Sequence, residues 1–257
     1  MLRRTSELRD YKLGAIDGEI GKVIEFYFDD QSWTIRYLVA ETGGWLSLRQ
    51  VLISPYALGP AKEDAHIIPV DLTREQIEKS PSFNSDRPVS RQYERDFFDY
   101  YGYPEYWVGP HMWGAQPALA YPLPAPRPPA EHKGEWDPHL RSTRAVTGYH
   151  VAAKNGLAGH VEDFIIDDAN WTIRYLVVDT HNWWPGRRVL LSPHWITDVS
   201  WTDSLVSTEI TKEAISGSPA FNAASLLTRG YEEILHRHYN LKGYWVDERP
   251  ARTHAVK

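Results

Sequence analysis

Leu13 to Pro55 reads LGAIDGEIGKVIEFYFDDQSWTIRYLVAETGGWLSLRQVLISP, and Val151 to Pro193 reads VAAKNGLAGHVEDFIIDDANWTIRYLVVDTHNWWPGRRVLLSP. The second stretch repeats the first 138 positions later with no insertion or deletion. Gly18 falls on Gly156, Gly21 on Gly159, Asp29-Asp30 on Asp167-Asp168, and Trp33 through Val39 on Trp171 through Val177. The register persists downstream, where Ser80 to Asn84 meets Ser218 to Asn222 and Tyr106-Trp107 meets Tyr244-Trp245. Solenoid repeats have periods of about 20–50 residues and lean on their neighbours, whereas a unit of this length can bury its own core. The repeat therefore predicts two copies of one domain, residues 1–107 and 139–257, joined by 108–138.

Within each copy the strands stand out. Lys22 to Phe28 and His160 to Ile166 are rich in β-branched and aromatic residues, and each run ends at an Asp-Asp turn. In Trp33 to Ala40, alternation puts Trp33, Ile35, Tyr37 and Val39 on one face. Gly43-Gly44 and His181-Asn182 are expected to turn the chain into a third strand that closes at Ser54-Pro55 or Ser192-Pro193. Shorter strands are expected near Leu58 and over Ile67 to Val70, and in the second copy over Ile196 to Trp201 and Leu205 to Thr208. Five or six short strands with one apolar face favour closure into a small barrel, which removes exposed edges. Thr73 to Lys79 and Thr211 to Ile215 read as short helices capped by Thr. Ser90 to Tyr101 and Leu227 to Tyr239 read as longer ones. The fold class expected is mainly β, two tandem small antiparallel barrels with a short helical extension after each.

Residues 108–138 hold eight of the 18 prolines, a composition expected of an extended spacer. Pro126-Arg127-Pro128-Pro129 fits PxxP, but a plain linker that spans two domains is the preferred reading.

Gly18 to Gly21, the strand Lys22 to Phe28, the Asp-Asp turn and Thr34 to Val39 resemble the PRC-barrel family, named for the cytoplasmic domain of the photosynthetic reaction-centre H subunit. Ser80 to Trp107 is similar to the extension found in bacterial tandem PRC-barrel proteins. The resemblance covers both copies and implies a small antiparallel barrel that serves as an assembly or docking module, without catalytic residues. It implies no cofactor. The membrane helix of the H subunit and the companion domain of the ribosome-maturation members are not seen in the sequence, so only the module-level role carries over.

Composition narrows the function further. Cysteine is absent, which excludes disulfides, thiolate metal sites and cysteine nucleophiles. Residues 1–107 carry 13 basic against 18 acidic side chains and residues 139–257 carry 13 against 13. Neither copy has the basic excess that phosphate neutralisation needs, so no nucleic-acid partner is expected. The opening MLRRTSELRDYKLG has no apolar core, and no run approaches the ~20 apolar residues of a membrane span. A cytoplasmic protein without an integral membrane segment is expected, peripheral membrane association being compatible with it.

The candidate chemical groups have structural readings. Asp29-Asp30 and Asp167-Asp168 could form a cation site or paired acids, but strand neighbours point to opposite faces and Asp favours turns. His236 and His238, two apart on a helix, do not share a face as a zinc pair would and read as solvated or capping residues. Ser192-Pro193-His194 cannot supply an oriented nucleophile and base. Arg36 and Arg174, among aromatic residues, suit guanidinium stacking or a buried ion pair. No catalytic, cofactor or metal residue is therefore assigned. The candidate protein interface is aromatic: Tyr101, Tyr103, Tyr106 and Trp107, with Tyr239, Tyr244, Trp245 and Arg187. These rings can equally fold back on the barrel; in that case outer strands bearing Tyr27, Arg49 and Arg187 would face a partner.

The expected function is a non-enzymatic scaffold or docking module for protein association, its two copies forming a pseudo-twofold pair or associating as a homo-oligomer. The alternatives are a peripheral accessory subunit of a membrane electron-transfer complex, and a hydrolase or carbohydrate-binding protein.

Overall fold

The β-branched and aromatic runs become strands, as their alternation requires, and the period changes to helical where the caps stand. The computed structural model describes residues 1–44, 47–81, 83, 89–109, 111–114, 139–180, 187–222 and 227–246. The described residues are mainly β, with 42% of them in strands. In the first copy the elements are β1 (Leu2–Arg4), α1 (Thr5–Leu8), β2 (Lys12–Ala15), β3 (Gly18–Asp29), β4 (Thr34–Gly44), β5 (Ser47–Ile53), β6 (Ile67–Pro69), α2 (Arg74–Glu78) and α3 (Arg91–Tyr101). In the second they are β7 (Leu140–Ser142), α4 (Thr143–Val146), β8 (His150–Ala153), β9 (Gly156–Asp167), β10 (Thr172–Asp179), β11 (Arg188–Leu191), β12 (Ile196–Ser200), β13 (Leu205–Thr208), α5 (Lys212–Gly217) and α6 (Arg229–His238). The turn expected at His181-Asn182, the PxxP segment and Asn84 lie outside the described residues.

The compact units do not coincide with the two copies. One unit is Met1–Gly148 with Asp163–Leu176, the other Tyr149–Glu162 with Val177–Lys257. Strands β9 and β10 each begin in one unit and end in the other.

In the first unit the strand run is β6-β2-β3-β4, with β5 on the far side of β4 and β2 parallel to β6. Two further pairings cross from one copy to the other. β7 lies antiparallel on β3, matching Tyr27 with Ser142 and Asp29 with Leu140. β1 lies antiparallel on β9, matching Leu2 with Asp167 and Arg4 with Ile165. These are the same pairing seen from each copy. The runs stay open: the edge of β3 at residues 27–29 is covered by the arm of the second copy. Leu13, Phe26, Phe28, Ile35, Tyr37, Val39, Phe164, Ile166 and Trp171 form the core, all nearly sealed from solvent.

In the second unit β12 pairs antiparallel with β13, β13 parallel with β8, and β8 antiparallel with the first half of β9. The Thr180 N–H donates to the Arg187 carbonyl at 3.0 Å and brings β11 beside the end of β10. Val151, Val161, Val178, Leu190, Val206, Ile215 and Leu235 fill the core.

Helix starts follow their caps. The side chains of Thr73, Ser90, Thr211 and Thr228 accept from the backbone N–H three residues on. β4 begins at Thr34 rather than Trp33, because Trp33 sits at φ +51 and Trp171 at φ +57, outside the extended region.

Candidate functional site

The residues that the repeat shares converge on the seam between the two copies, all of it inside the first unit. At its centre Thr34 pairs with Thr172, its own counterpart. The Ile35 N–H donates to the Trp171 carbonyl at 2.7 Å and the Ile173 N–H to the Trp33 carbonyl at 2.8 Å. The left-handed backbone of each Trp turns its carbonyl toward the other copy and lets its ring enter the core. Trp33 stacks on Phe28 at 5.4 Å and Trp171 lies 6.1 Å from Phe26.

Each Asp doublet divides its work between its own copy and the other. Asp29 accepts from the Gln31 and Ser32 N–H groups at 2.9 and 3.1 Å and pairs with Arg36 at 3.1 Å. Burial alone would raise its carboxyl, but Arg36 and the two N–H groups outweigh burial and hold it below its ordinary value. Asp30 points the other way, to Arg141 Nε at 2.8 Å and His139 Nδ1 at 2.9 Å on the arm of the second copy. Here burial dominates and raises the carboxyl despite those partners. The second doublet repeats the plan. Asp167 faces Arg174 at 3.5 Å, and Asp168 takes Arg3 Nε at 2.9 Å and the Met1 amino group at 2.5 Å. The doublets thus act as turn formers and as ties between copies; the carboxylates of Asp29 and Asp30 take separate partners, whereas Asp167, at 3.3 Å, shares the Met1 amino group with Asp168.

Hydroxyl groups of the arms bind buried carboxylates on the facing strands. Ser142 donates to Glu25, and the Phe26 N–H donates to Thr143 Oγ1 at 3.2 Å. Asp163, the counterpart of Glu25, accepts from Thr5 Oγ1 at 2.6 Å and also from Ser6 Oγ. Sequence reasoning missed these arm residues. The signal was present, because the 138-residue register runs upstream through Leu2/Leu140, Arg3/Arg141, Thr5/Thr143 and Tyr11/Tyr149.

The aromatic tails fold onto their own units. In the first, Glu94 is fully buried and accepts from Tyr37 Oη at 2.8 Å and Tyr106 Oη at 2.6 Å, while Arg91 pairs with it at 2.9 Å. Arg36 links this cluster to the Asp29 turn: it donates to the Met112 carbonyl at 2.6 Å and lies 4.0 Å from the Tyr106 ring and 5.0 Å from that of Trp113. Arg91 covers Trp107 at 4.3 Å, and Tyr101 stacks on Tyr103 at 5.2 Å. The second unit repeats the wiring. Glu232 accepts from Tyr244 Oη at 2.9 Å and pairs with Arg229, which covers Trp245 at 4.1 Å. Tyr239 lies 4.4 Å from Trp195, and Arg187 donates to the Ser218 carbonyl.

Of the eight candidate interface residues, Tyr103, Tyr106 and Tyr244 are buried, while Tyr101, Trp107, Tyr239, Trp245 and Arg187 are half-buried. Two expectations are corrected. Tyr27 is buried, not exposed, because β3 is paired there on both sides, to Tyr37 and to Ser142, and Phe83 lies edge-on at 5.8 Å. His236 is buried rather than solvated: Trp195 and Trp245 flank it at 5.1 and 4.9 Å, Nδ1 lies 2.9 Å from the Lys242 carbonyl oxygen, and burial lowers its pKa. His238 is exposed and contacts the Ala214 carbonyl instead.

A groove of about 630 Å³ in the first unit is lined by Lys12, Lys22, Arg49, Glu19 and Glu41 among others. Both of its lysines are ion-paired, Lys12 with Glu19 and Lys22 with Asp10, at 3.1 Å each. Among the described residues no group of three or more His, Asp or Glu side chains is placed to hold a metal ion, and no helix is long and apolar enough to cross a membrane. No protein-family model matches the chain, and no curated protein matches it.

Proposed function

We propose that the chain is a non-enzymatic association module, a tandem of PRC-barrel-like copies whose working surface is protein-facing. One observation carries this reading: the polar groups repeated in both copies are tied to one another. Asp29, Asp30, Asp167 and Asp168 hold the seam, and Glu94 and Glu232 hold the tails. What the second unit presents to solvent includes large apolar side chains, with Trp201, Ile234, Leu241 and Val246 each close to half exposed. Aromatic and aliphatic side chains of this kind supply the desolvated centre of an interface.

The test is an affinity capture with the immobilised full chain, compared with a Trp201→Ala/Ile234→Glu variant of unchanged thermal stability. A protein retained by the parent chain and lost with the variant supports the reading. Turnover of a small molecule by the purified chain, abolished by Asp29→Asn or Asp167→Asn in a folded protein, would replace it with an enzymatic one.

A further inference from the structure

The seam between the copies is self-complementary. Thr34 meets Thr172, β1 takes on β9 the place that β7 takes on β3, and Arg3–Asp168 repeats Arg141–Asp30. Nothing in these contacts specifies that the two copies belong to one chain. They are the contacts of an isologous dimer. The covalent link between the copies runs through residues 115–138, and a stretch of that length reaches at most on the order of 80 Å. Such a tether favours pairing within the chain by acting as a local concentration in the millimolar range. It does not forbid the same pairing between chains.

We propose that the occupant of the seam can be a second copy of this chain. The first copy of one molecule then takes the arm of the second copy of another, and the two chains close on each other through two such seams. Every backbone and ionic contact of the seam is kept, so the exchanged form differs from the closed monomer mainly in the path of the linker and in the entropy of association, as in domain swapping. Undoing it requires the withdrawal of buried arms, including Thr5 and Thr143. Once formed, it should therefore outlast dilution. The inference stands on the seam alone and does not rest on the proposed partner surface of the second unit.

Thr34 and Thr172 form a non-hydrogen-bonded antiparallel pair, the arrangement with the shorter Cα separation, about 4.5 Å, which falls within the range a disulfide spans. The chain has no cysteine of its own. A Thr34→Cys chain and a Thr172→Cys chain are mixed in denaturant, refolded together at about 100 µM and oxidised. A Thr34→Cys chain mixed with an Asp64→Cys chain, substituted at an exposed site, measures random collision. The expected result is a reducible covalent dimer several-fold above that control. Cross-linking no greater than the control overturns the proposal, provided that the Thr34→Cys/Thr172→Cys double variant closes its disulfide within one chain. A variant-free readout accompanies it: sedimentation of the unmodified chain refolded at 100 µM and then diluted should show a persistent dimer, and monomer at every concentration overturns the proposal.

Discussion

Thr34 and Thr172, equivalent positions of the two copies, face each other across one antiparallel step, with the Trp33 and Trp171 carbonyls accepting from Ile173 and Ile35 on either side. A residue that pairs with its own counterpart lies on a local twofold axis. The strands, acid doublets and arms around that step are consequently used twice, in opposite directions. This geometry makes the seam the place where substitutions should be felt most.

Trp33 is 8% exposed and Trp171 1%. Removal of either ring by Trp→Ala is expected to cost about 3–5 kcal/mol, from lost burial and a cavity. Because both residues have left-handed backbone, Trp→Gly should be no worse than Trp→Ala, glycine being free of the roughly 1–2 kcal/mol steric cost in that region. Urea unfolding of the four variants compares them directly. A Gly variant clearly weaker than its Ala partner would argue against backbone strain at the seam.

Arg141→Ala leaves Asp30, a mostly buried carboxylate, without its main cation. Loss of one member of a buried pair typically costs about 3–5 kcal/mol. In an Asp30→Asn background the same substitution should cost much less, since no charge is stranded. A double-mutant cycle with no coupling would show that the arm is held by packing alone. Arg3→Ala with Asp168→Asn forms the reciprocal cycle and should behave alike.

A Cβ on Gly21 would lie 2.1 Å from the Glu41 carbonyl oxygen, and one on Gly159 would lie 2.2 Å from that of Asp179. Both glycines also have φ values that L-residues rarely adopt, +144 and +141. Gly156 shares the backbone conformation, at φ +140, but has nothing within 4 Å. Gly21→Ala and Gly159→Ala should therefore lower the melting temperature more than Gly156→Ala, whose cost is confined to about 1–3 kcal/mol of backbone strain. Equal losses at Gly156 and Gly159 would mean that the close strand crossing relaxes freely.

His236 occupies the position that Phe98 holds in the first copy, and its pKa is lowered by burial. Between that lowered value and the ordinary 6.5 of an unfolded histidine, the unfolded chain binds more protons than the folded one. Stability from this group is therefore full above pH 6.5 and declines as pH falls below it. His236→Phe should flatten the dependence of unfolding free energy on pH between about 7 and 5. An unchanged slope in a folded variant would assign that dependence to other groups.

Features set by near neighbours along the chain can be read directly from the residues. Duplication was legible as a register of 138 positions, the bodies of β3, β4, β9 and β10 as β-branched runs, and the helix starts as Thr73, Ser90 and Thr211, because caps and alternation act over a few residues. For Arg36 the sequence offered stacking or an ion pair, and the fold gives it both, with Tyr106 and Asp29. Where the edges of these strands find their partners emerges only in the folded chain. The exchange of arms buries Tyr27, keeps the runs of strands open, and divides compact units across the copies rather than between them. Residues separated by more than a hundred positions make those contacts. Two copies of one sequence offer equivalent edges, so the choice between a copy's own arm and its neighbour's depends on geometry and linkage as well as on residue type.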